Sequence, residues 1–155
     1  MTARPDALVV RDASPSDAAA VAALLAELGY PTDAATAAHR LESLAALGDR
    51  ALIALDGDDA LGLVTVHRTP VLHRPSSVGR ITALVVSASA RGRGVGRALV
   101  DAAERILMDA GCEMVEVTSN QKRTDAHAFY ERLGYSNTSF KFARRLERDT
   151  AESPS

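Results

Sequence analysis

The feature that most constrains this chain is a strand, a glycine-rich turn and a helix in immediate succession. Ile81 to Val86 is apolar and β-branched almost throughout, which is typical of a strand covered on both faces. From Gly94 to Ala110 the apolar residues repeat with a helical period, and Gly111 ends the pattern. The turn between them contains Arg91-Gly92-Arg93-Gly94-Val95-Gly96. This succession predicts a helix that returns along a sheet, as in an α/β domain.

The rest of the chain extends this unit to the order β-αα-βββ-α-β-α-β. Strands are predicted at 8–10, 51–55, 60–66, 81–86, 113–118 and within 135–146, and helices at 15–28, 33–48, 94–110 and 125–133. We expect a single mixed α/β domain over residues 1–146. The polar residues 147–155 are predicted to form a disordered tail.

Composition narrows the cellular context and the partners. The chain has 155 residues and a formal charge of -2, from 18 basic and 20 acidic residues, so charge gives no argument for nucleic-acid binding. Cys112 is the single cysteine, and the four histidines show no metal-ligand spacing with it, so no metal is indicated. The longest apolar run, Ala18 to Ala26, is much shorter than the roughly 20 residues that span a bilayer. We expect a soluble cytoplasmic protein without a membrane partner.

The glycine-rich turn has the chemistry of an anion site. The first turn of a helix leaves amide N–H groups without partners and carries about half a positive charge. Gly92, Gly94 and Gly96 let a phosphate approach the backbone. Arg91, Arg93 and Arg97 add positive charge at the same point, which suits a multiply charged phosphate ligand. A purely structural turn with solvated arginines is the simpler alternative.

Spacing separates the phosphate motifs that could apply. A nucleoside-triphosphate loop requires Gly-Lys followed by Ser or Thr, and no lysine follows these glycines. A dinucleotide motif requires G-x-G-x-x-G, whereas these glycines are spaced by two. Arg91, Gly94 and Gly96 instead fit Arg or Gln, two residues, Gly, one residue, then Gly or Ala. The segment therefore resembles the GNAT N-acetyltransferase superfamily, and Phe129 to Tyr135 matches the family at its expected place.

The resemblance implies a fold and a co-substrate. The fold would be a central, mostly antiparallel mixed sheet of six or seven strands flanked by about four helices, and the co-substrate acetyl-CoA. In the family the strand before the turn carries a bulge and splays from its neighbour, so backbone groups of Leu84, Val85 and Val86 would pair with the pantetheine arm. The other implied cofactor-binding residues are Arg91, Gly92, Arg93, Gly94, Val95, Gly96, Arg97 and Asn120.

The resemblance also implies catalytic roles. Tyr130 holds the position of the acid that protonates the departing thiolate, or it packs beside Phe129 as an aromatic anchor. Many relatives carry a glutamate on the strand before the turn, but 81–84 contains no acid. Glu116, His73 and His127 stay open as bases, each with a surface role as the simpler interpretation.

A second departure concerns the family's asparagine, because Arg123 stands where it is expected. Asn120 lies three residues upstream and is the remaining candidate, while Lys122 and Arg123 either reach the phosphates or are exposed.

The predicted function is transfer of an acetyl group from acetyl-CoA to a primary amine of a small molecule or peptide, by direct attack in a ternary complex. The resemblance is to the bacterial small-molecule or amino-group type. A non-catalytic acetyl-CoA sensor or partner subunit and a structural domain without ligand are the alternatives. A homodimer through the last strands is left open.

Overall fold

The chain divides into two compact units, one ending at Val117 and the other beginning at Thr118. The computed structural model describes residues 8–118 and 124–148. Each unit is described by itself. The first contains every strand of the described chain, and the second contains one helix.

The regular elements follow the predicted order up to the last helix. They are β1 (Leu8–Asp12), α1 (Ala18–Leu28), α2 (Ala34–Ala46), β2 (Arg50–Asp56), β3 (Asp59–Thr69), β4 (Val78–Val86), α3 (Val95–Asp109), β5 (Met114–Val117) and α4 (Thr124–Arg132). None of the helices in the described ranges combines the length and apolar character that crossing a membrane requires.

The strands of the described residues form one five-stranded mixed sheet in the order β1-β2-β3-β4-β5. The pairs β1–β2, β2–β3 and β3–β4 are antiparallel, and β4 and β5 are parallel. A parallel pair requires a crossover connection, and α3 is that crossover. The mostly antiparallel mixed sheet and its flanking helices confirm the predicted fold class, with five strands in the described residues where six or seven were expected.

The two faces of this sheet are covered by different helices. Leu63 and Val85 belong to an apolar cluster with residues of α1 and α2. A Cβ at the neighbouring Gly62 would instead lie 2.8 Å from Leu99 of α3. Because successive strand residues point to opposite faces, α1 and α2 cover one face and α3 covers the other. The face toward α1 and α2 is called the α1/α2 face below.

The second unit differs from the sequence-based expectation at its end. Strands were predicted within 135–146, but the described residues 133–148 contain no strand. The prediction was wrong because alternating apolar residues indicate that a segment can pair, not that a partner strand is available. Three large apolar side chains of this segment are exposed: Phe140, Phe142 and Leu146.

The close approach of α3 to β3 predicts a stability effect at Gly62. A Cβ there would lie 2.8 Å from Leu99 Cδ1 and 2.9 Å from the Val85 carbonyl oxygen. We expect Gly62→Ala to lower the free energy of unfolding by about 1–3 kcal/mol, because β4 backbone must shift. At Gly79 the three atoms nearest the added Cβ all belong to the Leu107 side chain, so Gly79→Ala should cost less. Urea denaturation of both variants compares them, and a larger loss for Gly79→Ala would contradict this account.

A second prediction concerns acid and the start of α1. Asp17 accepts hydrogen bonds from the Arg11 guanidinium at 2.8 Å and 2.9 Å and from the Ser14 amide at 2.9 Å. These bonds, that to Arg11 first, lower the pKa of Asp17 from 3.8 to about 2. A lowered folded-state pKa stabilises the protein above the unfolded value, and this stability is lost as pH falls toward 2.

We therefore expect the stability gap between wild type and Asp17→Asn to shrink as pH falls from about 5 to about 2.5. The pH-dependent part should be at most about 2 kcal/mol, because Arg11 is half-exposed and water screens the pair. Urea denaturation at several pH values measures the gap, and Asp58→Asn, in the exposed hairpin, is the control. If the stability difference between wild type and Asp17→Asn stays constant over this pH range, the charge of the Asp17 carboxylate does not contribute to stability.

Candidate functional site

The strand before the turn is bulged, and the later part of its edge has no partner strand among the described residues. Thr65 pairs with Ala83 and Val66 pairs with Ile81, so Thr82 is an extra residue in β4. On the other side, β5 pairs with β4 only from Val78 to Ile81. Within the described residues, the backbone of 82–86 therefore has no strand partner on the β5 side. The bulge that the resemblance implied is present in β4, and the described pairing with β5 ends just before it.

The turn after β4 is fixed at its base and open at its tip. The Ser87 amide donates to the Leu61 carbonyl at 2.8 Å, and the Ala90 amide donates to the Ser87 carbonyl at 2.9 Å. Ala90 is fully buried. Gly92 and Gly94 have φ values of +83° and +77°, which side chains other than glycine rarely adopt. A Cβ at either would meet nothing within 4 Å, so the space in front of the turn is accessible.

The N-terminus of α3 faces this open space. The Ala98 amide donates to the Gly94 carbonyl at 3.1 Å. The amides of Val95, Gly96 and Arg97 precede it, where a helix leaves N–H groups without intrahelical acceptors. Gly94 is the N-cap and has no side chain to accept from them. The arrangement can accept an anion such as a pyrophosphate.

The three arginines of the turn have different surroundings. Arg93 donates to Asp56, at the end of β2, with 2.9 Å between Nη2 and Oδ2. Arg91 and Arg97 are exposed. Sequence reasoning treated the three as one basic cluster and missed Asp56, because the ion pair joins residues far apart in the chain. Arg93 thus ties the turn to the β2–β3 hairpin, and the other two arginines remain accessible to a ligand.

A carboxylate from α1 also contacts the beginning of the turn. Glu27 Oε1 accepts a hydrogen bond from the Ala88 amide at 3.1 Å. The last turn of α1 is therefore bonded to the backbone that follows β4. No local pattern in the sequence predicts this contact, which spans 61 positions.

Tyr130 lies on α4, in the second unit. Its ring makes edge-to-face contacts with Phe129 and Tyr135, with ring centroids 5.3 Å and 5.8 Å apart. The Tyr135 amide donates to the Tyr130 carbonyl at 3.0 Å and closes the end of the helix. The packing beside Phe129, which was the alternative to a catalytic role for Tyr130, is therefore present. Asn120, Lys122 and Arg123 lie outside the described residues.

The three residues that the sequence left open as bases differ in their contacts and in where they lie. Glu116 of β5 forms an ion pair with Arg80 at 3.4 Å. His73 is exposed in the loop between β3 and β4. His127 lies on α4 in the second unit. None of these observations identifies a base.

Two polar pairs on β3 were missed by sequence reasoning. His67 Nδ1 lies 2.5 Å from Asp49 Oδ1, and Thr65 Oγ1 lies 2.6 Å from Thr82 Oγ1. The available signal was the spacing of Thr65 and His67, which places them on one face of a strand. Their partners depend on strand register, which the sequence does not specify.

The sequence model of the acetyltransferase (GNAT) family matches residues 19–135. The chain belongs to the GNAT acetyltransferase family. The bulged β4, the glycine turn and α3 all lie within the matched range.

Two characterised relatives and one solved structure illustrate the family. The chain is 37% identical over 94 residues to an aminoalkylphosphonate N-acetyltransferase of Salmonella typhimurium, covering 61% of each protein, which is less than two thirds of that relative's length. It is 33% identical over 134 residues to an aminoglycoside N(6')-acetyltransferase type 1 of Stenotrophomonas maltophilia, covering 83% of this chain and 86% of the relative.

Among solved structures, an aminoglycoside N-acetyltransferase in complex with CoA matches with a TM-score of 0.81, covering 91% of this GNAT chain and 95% of that one. Its sequence identity is 18%, so the likeness concerns the fold alone.

Proposed function

We propose that this GNAT-family chain is an N-acetyltransferase that uses acetyl-CoA to acetylate the primary amine of a small molecule or peptide in a ternary complex. The observation that carries the proposal is the combination of the open glycine turn at the N-terminus of α3 with the free edge of β4. The first suits the pyrophosphate and the second suits the amide-containing pantetheine arm.

The residues proposed to hold acetyl-CoA follow from this arrangement. Backbone groups of Leu84, Val85 and Val86 would pair with the arm, since they lie on the free edge. The turn would hold the pyrophosphate through Gly92, Gly94, Val95 and Gly96, with Arg91, Arg93 and Arg97 around it, and Asn120 is retained from the resemblance. The thioester supplies an activated acetyl group, and the chain's task is to orient it and exclude competing reactions.

We also propose Tyr130 as the acid that protonates the CoA thiolate. A phenol has a reference pKa of about 10 and a thiol about 8.5, so the driving force is small and placement matters more than acidity. The proposal rests on the place of Tyr130 in the family pattern.

The acceptor is proposed to be a small amine, because the two characterised relatives are named for aminoalkylphosphonates and aminoglycosides. These names describe very different amines. A peptide amine is retained as a further class, and the acceptor screen must therefore include all three.

The test combines binding and turnover in one preparation. Acetyl-CoA is titrated calorimetrically, and aminoethylphosphonate, kanamycin and a peptide with a free N-terminus are then screened for amine-dependent thiol release. Binding together with turnover of any of these amines supports the proposal. Binding without turnover of these or of a wider amine set favours the sensor alternative, and absence of binding overturns the cofactor site.

A further inference from the structure

The missing acid on β4 raises the question of which group removes the proton from the attacking amine. In the proposed complex the pyrophosphate lies at the turn after Val86, and the pantetheine arm runs back along 84–86. The thioester end of the arm therefore comes to the bulge, at Thr82 and Ala83. This is also where the pairing of β4 with β5 stops, at Ile81 and Val117. The proton of the attacking amine must therefore reach the base from this point.

The bulge places a hydroxyl pair there. Thr82 Oγ1 lies 2.6 Å from Thr65 Oγ1 and 3.3 Å from the Thr65 carbonyl oxygen. Thr65 lies two residues beyond Leu63 on β3 and therefore points to the α1/α2 face. Thr82 is exposed and shares this face with Thr65. Two hydroxyl groups in contact can pass a proton, because each is both donor and acceptor.

The next side chain of β3 on the same face is His67. Arg68, between His67 and the end of the strand, points the other way and donates to the Ala110 carbonyl at the end of α3. His67 lies two positions from Thr65, which corresponds to about 7 Å along a strand. Each hydrogen bond of a water reaches about 2.8 Å, so a chain of two waters is needed to join the hydroxyl pair to the imidazole across a gap of that length.

Asp49 fixes the orientation of this histidine. Its Oδ1 atom lies 2.5 Å from His67 Nδ1, and the Asp49 side chain is only 12% exposed, whereas that of His67 is 40% exposed. A neutral imidazole that donates from Nδ1 to a carboxylate has its lone pair on Nε2. His67, the more exposed of the two, is therefore oriented with Nε2 as a proton acceptor. The less exposed Asp49 carboxylate holds the imidazole in this orientation.

The surrounding charges are paired with one another. Arg80 is opposite His67 in the β3–β4 register and forms an ion pair with Glu116 of β5 at 3.4 Å. Glu116 thus contacts an arginine, whereas His67 contacts a carboxylate, the usual partner of a catalytic histidine.

We propose that His67, held by Asp49 and reached through the Thr65–Thr82 hydroxyl pair and a chain of two waters, is the base for the attacking amine. This inference rests on the proposed N-acetyltransferase function. The amine nitrogen forms a bond to the thioester carbonyl carbon, and its proton passes through the relay to His67 Nε2. The C–S bond then breaks and the thiolate takes a proton from Tyr130 or water. Solvent returns a proton to that donor, and the imidazolium releases its proton to solvent. Asp49 is a positioning residue in this scheme.

The test uses acetyl-CoA with aminoethylphosphonate and, in parallel, kanamycin. We expect His67→Gln to lower kcat about 100-fold or more, the usual scale of acid–base catalysis, while the calorimetric dissociation constant of acetyl-CoA stays unchanged. His67→Gly should regain activity as imidazole is added, which a purely structural role would not allow. His39→Gln, on the exposed surface of α2, is the matched control and should retain wild-type kcat.

The threonine pair gives a second readout that does not alter the histidine. Thr82→Val should lower kcat, and Thr82→Ser, which keeps the hydroxyl, should restore most of it. If the histidine variants do not fold, this pair decides, and equal activity of the two overturns the relay. If wild type turns over either amine and folded His67→Gln does too at the same kcat, this inference falls and the proposed function stands. If wild type turns over neither these amines nor any of the wider set, the proposed function and this inference both fall.

Discussion

Gly94→Trp is expected to weaken acetyl-CoA binding about 100-fold or more, because the substitution fills the space that the phosphates need. Gly94 has a φ of +77°, and a Cβ there points into space with nothing within 4 Å. An indole in that position would cover the first amides of α3. Losing two hydrogen bonds to a charged group, at about 1.5 kcal/mol each, corresponds to roughly a hundredfold change in affinity.

The other end of α3 supplies the matched control for this prediction. Gly111 has a φ of +91°, and a Cβ there would also meet nothing within 4 Å. Gly111→Trp therefore carries a similar backbone strain, about 1–2 kcal/mol, at a point that holds no phosphate in the proposed complex. Both variants should lose similar stability in urea, and only Gly94→Trp should lose acetyl-CoA affinity in calorimetry. Wild-type affinity in a folded Gly94→Trp variant would show that the turn does not bind the cofactor.

The contrast between these glycines illustrates which parts of the fold the sequence predicts. The strand, the turn and α3 were predicted because alternation, helical periodicity and glycine are local signals within about 30 residues. Gly92 and Gly94 adopt the positive φ values that such a turn requires. The end of the chain was not predicted correctly, since the apolar alternation around Phe140 and Phe142 does not reveal whether a partner strand exists.

The site residues likewise fall into those that a local motif indicates and those that it does not. A sequence motif could indicate Arg91 and Gly94, because their chemistry depends on immediate neighbours. It could not indicate that Arg93 bonds to Asp56, or that His67 bonds to Asp49, since those pairs are 37 and 18 positions apart. Both pairs follow from the register of β2, β3 and β4, and a register is decided by packing over the whole sheet. The position of the bulge at Thr82 also depends on this register, so the sequence alone could not indicate it.

Tyr130→Phe is expected to lower kcat about 100-fold while the dissociation constant of acetyl-CoA stays the same. The variant removes only the hydroxyl, and acid–base catalysis by one group contributes at least about that factor. The ring contacts with Phe129 and Tyr135, at 5.3 Å and 5.8 Å, persist with phenylalanine. Steady-state thiol release gives kcat, and calorimetry gives the dissociation constant.

The neighbouring tyrosine distinguishes catalysis from packing. Tyr135→Phe removes a hydroxyl from the same aromatic group, and it should leave kcat at the wild-type value. A packing role predicts that both phenylalanine variants remain active and that only Tyr130→Ala loses stability and activity together, because truncating an aromatic side chain leaves a gap. Full activity of Tyr130→Phe would thus remove Tyr130 from the mechanism. The thiolate would then be protonated by water, and the acetyl-CoA site at the turn would remain as proposed, since its test measures binding alone.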